Sequence, residues 1–347
     1  MKIIKPTEND DSNNFDPAKE KITSAEMGKL WAVFMGNSMS ICVLSYFLQH
    51  VDDTDTKAIL EDSLELAKGF TKGVAAIFEK EQIPIPIGFT EKDVNLGAPR
   101  LVADEFYLHY LKYAAKAGLS LYSTAIPLMI RKDVRDFILK CNKYTTDLLN
   151  TLNELMSKKG ILNKPPLIPI PDKVDFIKKQ NYLNGFFRNV RSLHALEVSH
   201  LHDNLENNAT SKGLLIAFSQ VAKKESVREI MLRGKEIARN HFESCAEKLH
   251  NEDLPSPPLL DDLIEATTVS PFSDKLILFH KVDMFNMKIR TYASALSLNG
   301  RRDIGMMYGR FITDVGRFVE DAANLMISEG WFEQPPKAAD RKDLAKH

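Results

Sequence analysis

Apolar residues recur at spacings of three and four almost throughout this chain, which is the period of a helix with one buried face. Leu30, Phe34, Ile41, Leu44 and Phe47 mark a first helix from Ser24 to about Val51. Leu60, Leu64, Ala67, Phe70, Val74 and Phe78 mark a second, from Asp55 to Glu81, after a polar turn at Asp52, Asp53 and Asp55. The next stretch, Ile83 to Arg100, cannot continue a helix. Pro84 and Pro86 force extended backbone, and Gly88, Gly97 and Pro99 punctuate the remainder of the stretch. A third helix is expected over about Leu101 to Ile130 and a fourth over about Asp133 to Lys158, ending before Gly160.

The same signals then return about 170 residues later. Tyr122 to Ala125 followed by Arg131-Lys132-Asp133 matches Tyr292 to Ala295 followed by Arg301-Arg302-Asp303. Gly160 before Pro165-Pro166 matches Gly330 before Pro335-Pro336, and Asp104 matches Asp274. Upstream the offset slips by one: Pro84 and Pro86 match Pro255 and Pro257, Glu26 matches Glu197, and Asn37 matches Asn208. Helices of the second copy are expected to start near Val190, Ser226, Phe272 and Asp303.

Loop lengths decide the connectivity. Antiparallel neighbours need only a short turn, whereas parallel successive helices need a segment that spans the bundle. A helix of about 25 residues is roughly 37 Å long, which an extended strand covers in about a dozen residues. The long segment after the second helix therefore predicts helices two and three parallel, flanked by antiparallel pairs. The expectation is an all-α chain of two tandem ferritin-like four-helix bundles, with a long crossover between helices two and three of each. Bundle one spans 21–164, a Pro-containing linker 165–189 and bundle two 190–336, with polar tails at 1–20, expected to be disordered, and 337–347. A fragment ending near Lys173 should then fold alone.

Composition narrows the function. Of 347 residues 44% are apolar and 27% charged, with a formal net charge of −1. That balance disfavours nucleic-acid binding and polybasic membrane attachment, both of which need excess Lys and Arg. No run reaches the roughly 18 apolar residues of a membrane span, and the amino terminus has no secretory pattern. Cys42, Cys141 and Cys245 lie far apart and suit a reducing compartment. A cytoplasmic or spore-associated protein is expected.

The strings IPIPIGFTEKDVNLGAPRL, SLHALEVSHLHDNL, GLLIAFSQVA, PFSDKL and GWFEQPP, with the linker PDKVDFIKKQNYLNGFF, resemble a family of tandem proteins from spore-forming bacilli with no assigned function. Some relatives in that family are described as spore-coat proteins. The resemblance runs through the chain from about Lys19; it implies a ferritin-like fold and brings no established activity.

Candidate chemistry is sparse. Di-metal bundles take a Glu from each of two helices and Glu-x-x-His from each of the other two. The second copy has one such motif, Glu197-Val-Ser-His200, with His241 on the stripe of its second helix and His280 and Asp283 three apart on its third. Convergent oxygen and imidazole ligands would suit iron, manganese or zinc. The fourth helix offers Asp314, Glu320 and Asp321 but no histidine, and the first copy has Lys29, Phe70 and Tyr113 at the matching positions. Arg131, Asp133, Arg301 and Asp303 read as helix caps, the aspartates at helix starts and the arginines on the preceding carbonyls. Tyr122 and Tyr292 read as packing residues with one buried phenol partner, and Asn37 and Asn208 as a helix bend, a polar network or a pocket. There is no phosphate loop, nucleophile elbow or haem signature. The leading expectation is a non-enzymatic structural or interaction protein, its partner a protein, a spore component or further copies of itself, with no cofactor. The alternative is a metal-binding protein, an oxidase or iron handler, acting through bundle two.

Overall fold

The computed structural model describes residues 20–186 and 190–346, so the expected amino-terminal tail falls almost wholly outside the described residues. Among the described residues there are eight long helices: α1 Ser24–Phe47, α2 Thr54–Lys80, α3 Asp104–Ala125, α4 Lys132–Lys158, α5 Ala195–Val221, α6 Glu225–His250, α7 Asp274–Ser297 and α8 Arg302–Ser328. Local chemistry sets their ends. The Thr23 hydroxyl accepts from Glu26 N at 3.2 Å while the Glu26 carboxylate takes Thr23 N at 2.8 Å, a reciprocal capping box. His194 Nδ1 and Glu197 repeat that box at the start of α5. Gly160 and Gly330 end α4 and α8 with φ of 74° and 69°, the left-handed turn that glycine adopts without strain. Gln82 and Asp253, just past α2 and α6, are both left-handed at φ 56°.

Contacts between helix ends fix the direction of each helix. Asp104, at the start of α3, accepts from Asp52 N and Asp53 N at the α1–α2 turn, at 3.0 and 2.7 Å. Glu26, at the start of α1, accepts from Ile130 N and Arg131 N at the α3–α4 turn, at 3.0 and 2.7 Å. Lys159, past the end of α4, reaches Asp53 at 2.7 Å. Hence α1 opposes α2 and α3, α4 opposes α2 and α3, and α2 and α3 run parallel, joined by the 81–103 crossover. The second half repeats the wiring. Asp274 accepts from Lys223 N and Lys224 N, and Glu197 from Gly300 N.

The halves meet in a symmetric way. Their crossovers touch at two antiparallel bridges, Val94 with Phe272 and Val102 with Ile264. Val94 and Ile264 are repeat partners, as are Val102 and Phe272, so each residue meets the other's counterpart. That is the self-complementary pattern of a two-fold interface. Helices α3 and α7 lie side by side along the pseudo-axis, where Tyr110 OH is 3.0 Å from His280 Nε2 and Arg290 Nε donates to Ser120 Oγ at 2.7 Å. Both pairs are repeat partners, 170 residues apart. One apolar cluster runs through both halves, with Tyr46 packed edge-on to Phe272 and Phe89 against Phe279. Such a position explains α1, the one described helix long and apolar enough to cross a membrane. It packs on α2, α3 and α7, and a helix covered on several sides carries little polar surface.

Candidate functional site

The five candidate metal ligands do not converge, and among the described residues no group of three or more His, Cys, Asp or Glu side chains is placed to hold a metal. Glu197 sits at the end of the half, 2% exposed, with Arg191 at 2.8 Å on both oxygens and His194 N and Gly300 N bound as well. Its carboxylate capacity is thus spent on joining helix ends, and those bonds hold its pKa low against the effect of burial. His200 lies half-buried one turn later, its carbonyl accepting from Asn204. His241 is buried between Tyr292 OH at 3.1 Å and Asp314 Oδ2 at 3.3 Å and stacks on Phe311. His280 lies on the pseudo-axis beside Tyr110. Tyr292, the partner of His241, is twelve residues beyond His280 on α7, about 18 Å along the helix axis, so the two histidines meet α7 at different levels. Asp283 faces the space between the halves. Burial pushes both histidines down to about 3, with Lys288 acting on His241 and Lys281 on His280.

The repeated arginines and aspartates act as clamps, and Asp133 also takes the first-turn amide of Val134 at 2.9 Å, as a cap would. Arg131 and Arg301 occupy the N-cap positions of α4 and α8 without a side-chain cap bond. Each instead grips the aspartate two residues on through two bonds, 3.1 and 2.6 Å to Asp133 and 3.1 and 3.0 Å to Asp303. The free arm reaches across to the end of the preceding hairpin, Glu81 at 2.6 Å or Glu252 at 3.2 Å. At the α3–α4 turn the preceding carbonyls, those of Met129 and Ile130, are taken by a different arginine, Arg135.

The centre of the second half is a polar seam. Lys288 Nζ donates to Asn208 Oδ1 at 2.8 Å, the Asn208 amide holds Tyr292 OH, and His241 carries the chain on to Asp314. One turn pair earlier on α7, Lys281 donates to Ser211 Oγ at 3.0 Å. Both lysines are 0% exposed and neither has a carboxylate partner among the described residues. Burial drives Lys281 down to about 7 and Lys288 well below its ordinary value. The first half carries Leu111 and Gly118 at these positions. The paired asparagines therefore diverge: Asn208 anchors the polar network, and Asn37 bonds Val33 O and lines a cavity. Tyr122, the partner of Tyr292, is buried against Phe70 where Tyr292 meets His241.

That cavity lies in one of two pseudo-equivalent seams between the halves. Where α5 meets α3, the seam is closed by ions. Lys112 pairs with Glu206 at 2.8 Å, Lys116 with Asp203 at 2.7 Å and Glu206 at 3.1 Å, flanked by buried His109 and His202. Where α1 meets α7, the counterparts of those six residues are Val282, Met35, Asn286, Ala32, Phe279 and Trp31. No salt bridge spans this seam among the described residues, and it holds a cavity of about 430 Å³. Lys281, Lys288 and this cavity escape a reading by sequence, because charged residues on helices are normally taken as solvent-facing. The usable signal was two lysines seven apart inside the apolar run Leu276 to Ile289.

The profile of the family described as protein of unknown function (DUF3231) matches residues 10–174 and again 182–344. No curated protein matches the sequence. A solved structure from Bacillus halodurans, of a protein provisionally named as a spore coat protein, is 17% identical, covering 43% of this chain and 98% of its own, with a TM-score of 0.40.

Proposed function

The chain belongs to the DUF3231 family in both halves, and from that premise we propose that it is a non-enzymatic interaction protein of the spore. On this reading two fused ferritin-like halves form a rigid body, and the linker between them docks onto a protein partner. The observation that carries it is the state of the linker. Leu167 is 95% exposed, Ile170 91%, Val174 84% and Phe176 78%. A run of apolar side chains left in water is a hallmark of a surface that another molecule covers. Pro165, Pro166, Pro169 and Pro171 keep the segment extended, so little further ordering entropy is lost when it enters an apolar groove. Placement in the spore rests on the likeness of the sequence motifs to those of spore-forming bacilli.

A fluorescent fusion expressed in a sporulating bacillus tests both parts. The fusion should concentrate on the developing spore. The variant Leu167→Ser, Ile170→Ser, Val174→Ser, Phe176→Ser should keep the helical circular dichroism of the parent and become diffuse. A parent fusion that stays diffuse rules out the spore role, and a variant that still localises rules out the linker.

A further inference from the structure

The cavity between α1, α3 and α7 is independent of the linker and is of a size that takes small molecules, which occupy pockets of about 300–1,000 Å³. It does not arise from poor packing of the fold as a whole, because the pseudo-equivalent seam is filled by Lys112, Lys116, Asp203 and Glu206. Side chains shorter or apolar at the same positions leave this seam open, walled by Trp31, Met35, Leu121, Phe279 and Ile289.

Its charges have a definite sense. Arg290 lines the cavity and uses Nε on Ser120, and its remaining guanidinium nitrogens make no ion pair among the described residues. Lys29, on α1 two residues before Trp31, donates to Thr124 Oγ1 at 3.4 Å and has no carboxylate partner among the described residues. Burial lowers the pKa of Lys29, and the neighbouring Arg290 lowers it further, so two cations share this end. Asp283, two turns up α7, also faces the cavity. Burial raises its carboxyl and Arg290 acts against that rise, so Asp283 is the one acid that competes with a ligand for this arginine among the lining residues.

We propose that this cavity binds a single-chain amphiphile with a carboxylate headgroup, its chain among the apolar walls and its carboxylate on Arg290. A guanidinium presents two parallel N–H donors that match a carboxylate, and Lys29 adds a second positive charge nearby. Charge separates this occupant from a cationic amphiphile, which would place its head on Asp283, and from an uncharged one, which would ignore both.

Calorimetric titration of the full chain with decanoate, decanol and decyltrimethylammonium, each below its micelle concentration, distinguishes the three. Decanoate should bind tightest and change the emission of Trp31, and the change should vanish in Trp31→Phe. Arg290→Gln should weaken decanoate by about tenfold or more and leave decanol unaffected, while Asp283→Asn should not weaken decanoate. Ala117→Phe, which fills the cavity from α3, should abolish binding whether or not Arg290→Gln folds. Absence of decanoate binding overturns the proposal. So does equal binding of decanol and decanoate, or a preference for decyltrimethylammonium that Asp283→Asn removes.

Discussion

Lys281 shows how far the second half departs from an ordinary helical core. Its amine is fully buried, answered by a serine hydroxyl rather than a carboxylate, and burial takes its pKa to about 7. In the unfolded chain a lysine titrates near 10.4. Between those values the unfolded state holds one proton more than the folded state, so stability must rise as pH climbs from about 7 towards 10. Below pH 7 both states are protonated and the penalty is constant. Lys281→Met should therefore gain roughly 1–4 kcal/mol at pH 7 and flatten the rise, leaving the part due to Lys288. Urea unfolding of both proteins at pH 7 and pH 9 measures this, and an equal pH slope in the two would contradict it. The same scale explains why the metal ligands went astray. Helical periodicity gives the direction in which a side chain points, and Glu197, His241 and His280 are indeed buried. It does not give height along the bundle, and these three stand at different levels.

Elements, by contrast, were largely readable. Prolines and glycines in 83–100 excluded a helix, and the length of that segment fixed the parallel course of α2 and α3. What the pattern within one copy could not supply was the partner of each outer face, because an apolar stripe is silent about which helix covers it. Gly213 marks one such unforeseen contact. It lies on α5 where the helix passes the start of α3, and a Cβ there would stand 2.6 Å from the Phe106 ring. Phe106 is fully buried in the cluster shared by both halves, so its ring has little room to retreat. Gly213→Ala should thus lose about 1–3 kcal/mol through overpacking, despite the better helix propensity of alanine. Thermal unfolding followed by circular dichroism reads the change, and a stabilised variant would show that this contact yields without cost.

At the scale of the whole molecule, two copies in sequence become one body in space. The crossovers bridge each other, α3 lies along α7, and a single apolar cluster crosses the boundary. A fragment of residues 21–173 would expose Tyr46, Phe89, Phe106 and Tyr110, all buried in the full chain. The independence expected from the repeat alone takes no account of this surface. Because the contacts pair a position with its own counterpart, or pair two positions each with the other's counterpart, the exposed face of one copy is approximately complementary to itself. Two such fragments can therefore rebuild the interface, with Tyr110 meeting Tyr110 where it now meets His280. The isolated fragment should sediment as a dimer, and its unfolding midpoint should rise with protein concentration, as mass action requires when folding and association are coupled. Apolar surface of this extent buried only by association leaves a lone copy little stability of its own. A fragment that sediments as a monomer and unfolds cooperatively at a concentration-independent temperature would show that the inter-half cluster adds nothing the single copy needs.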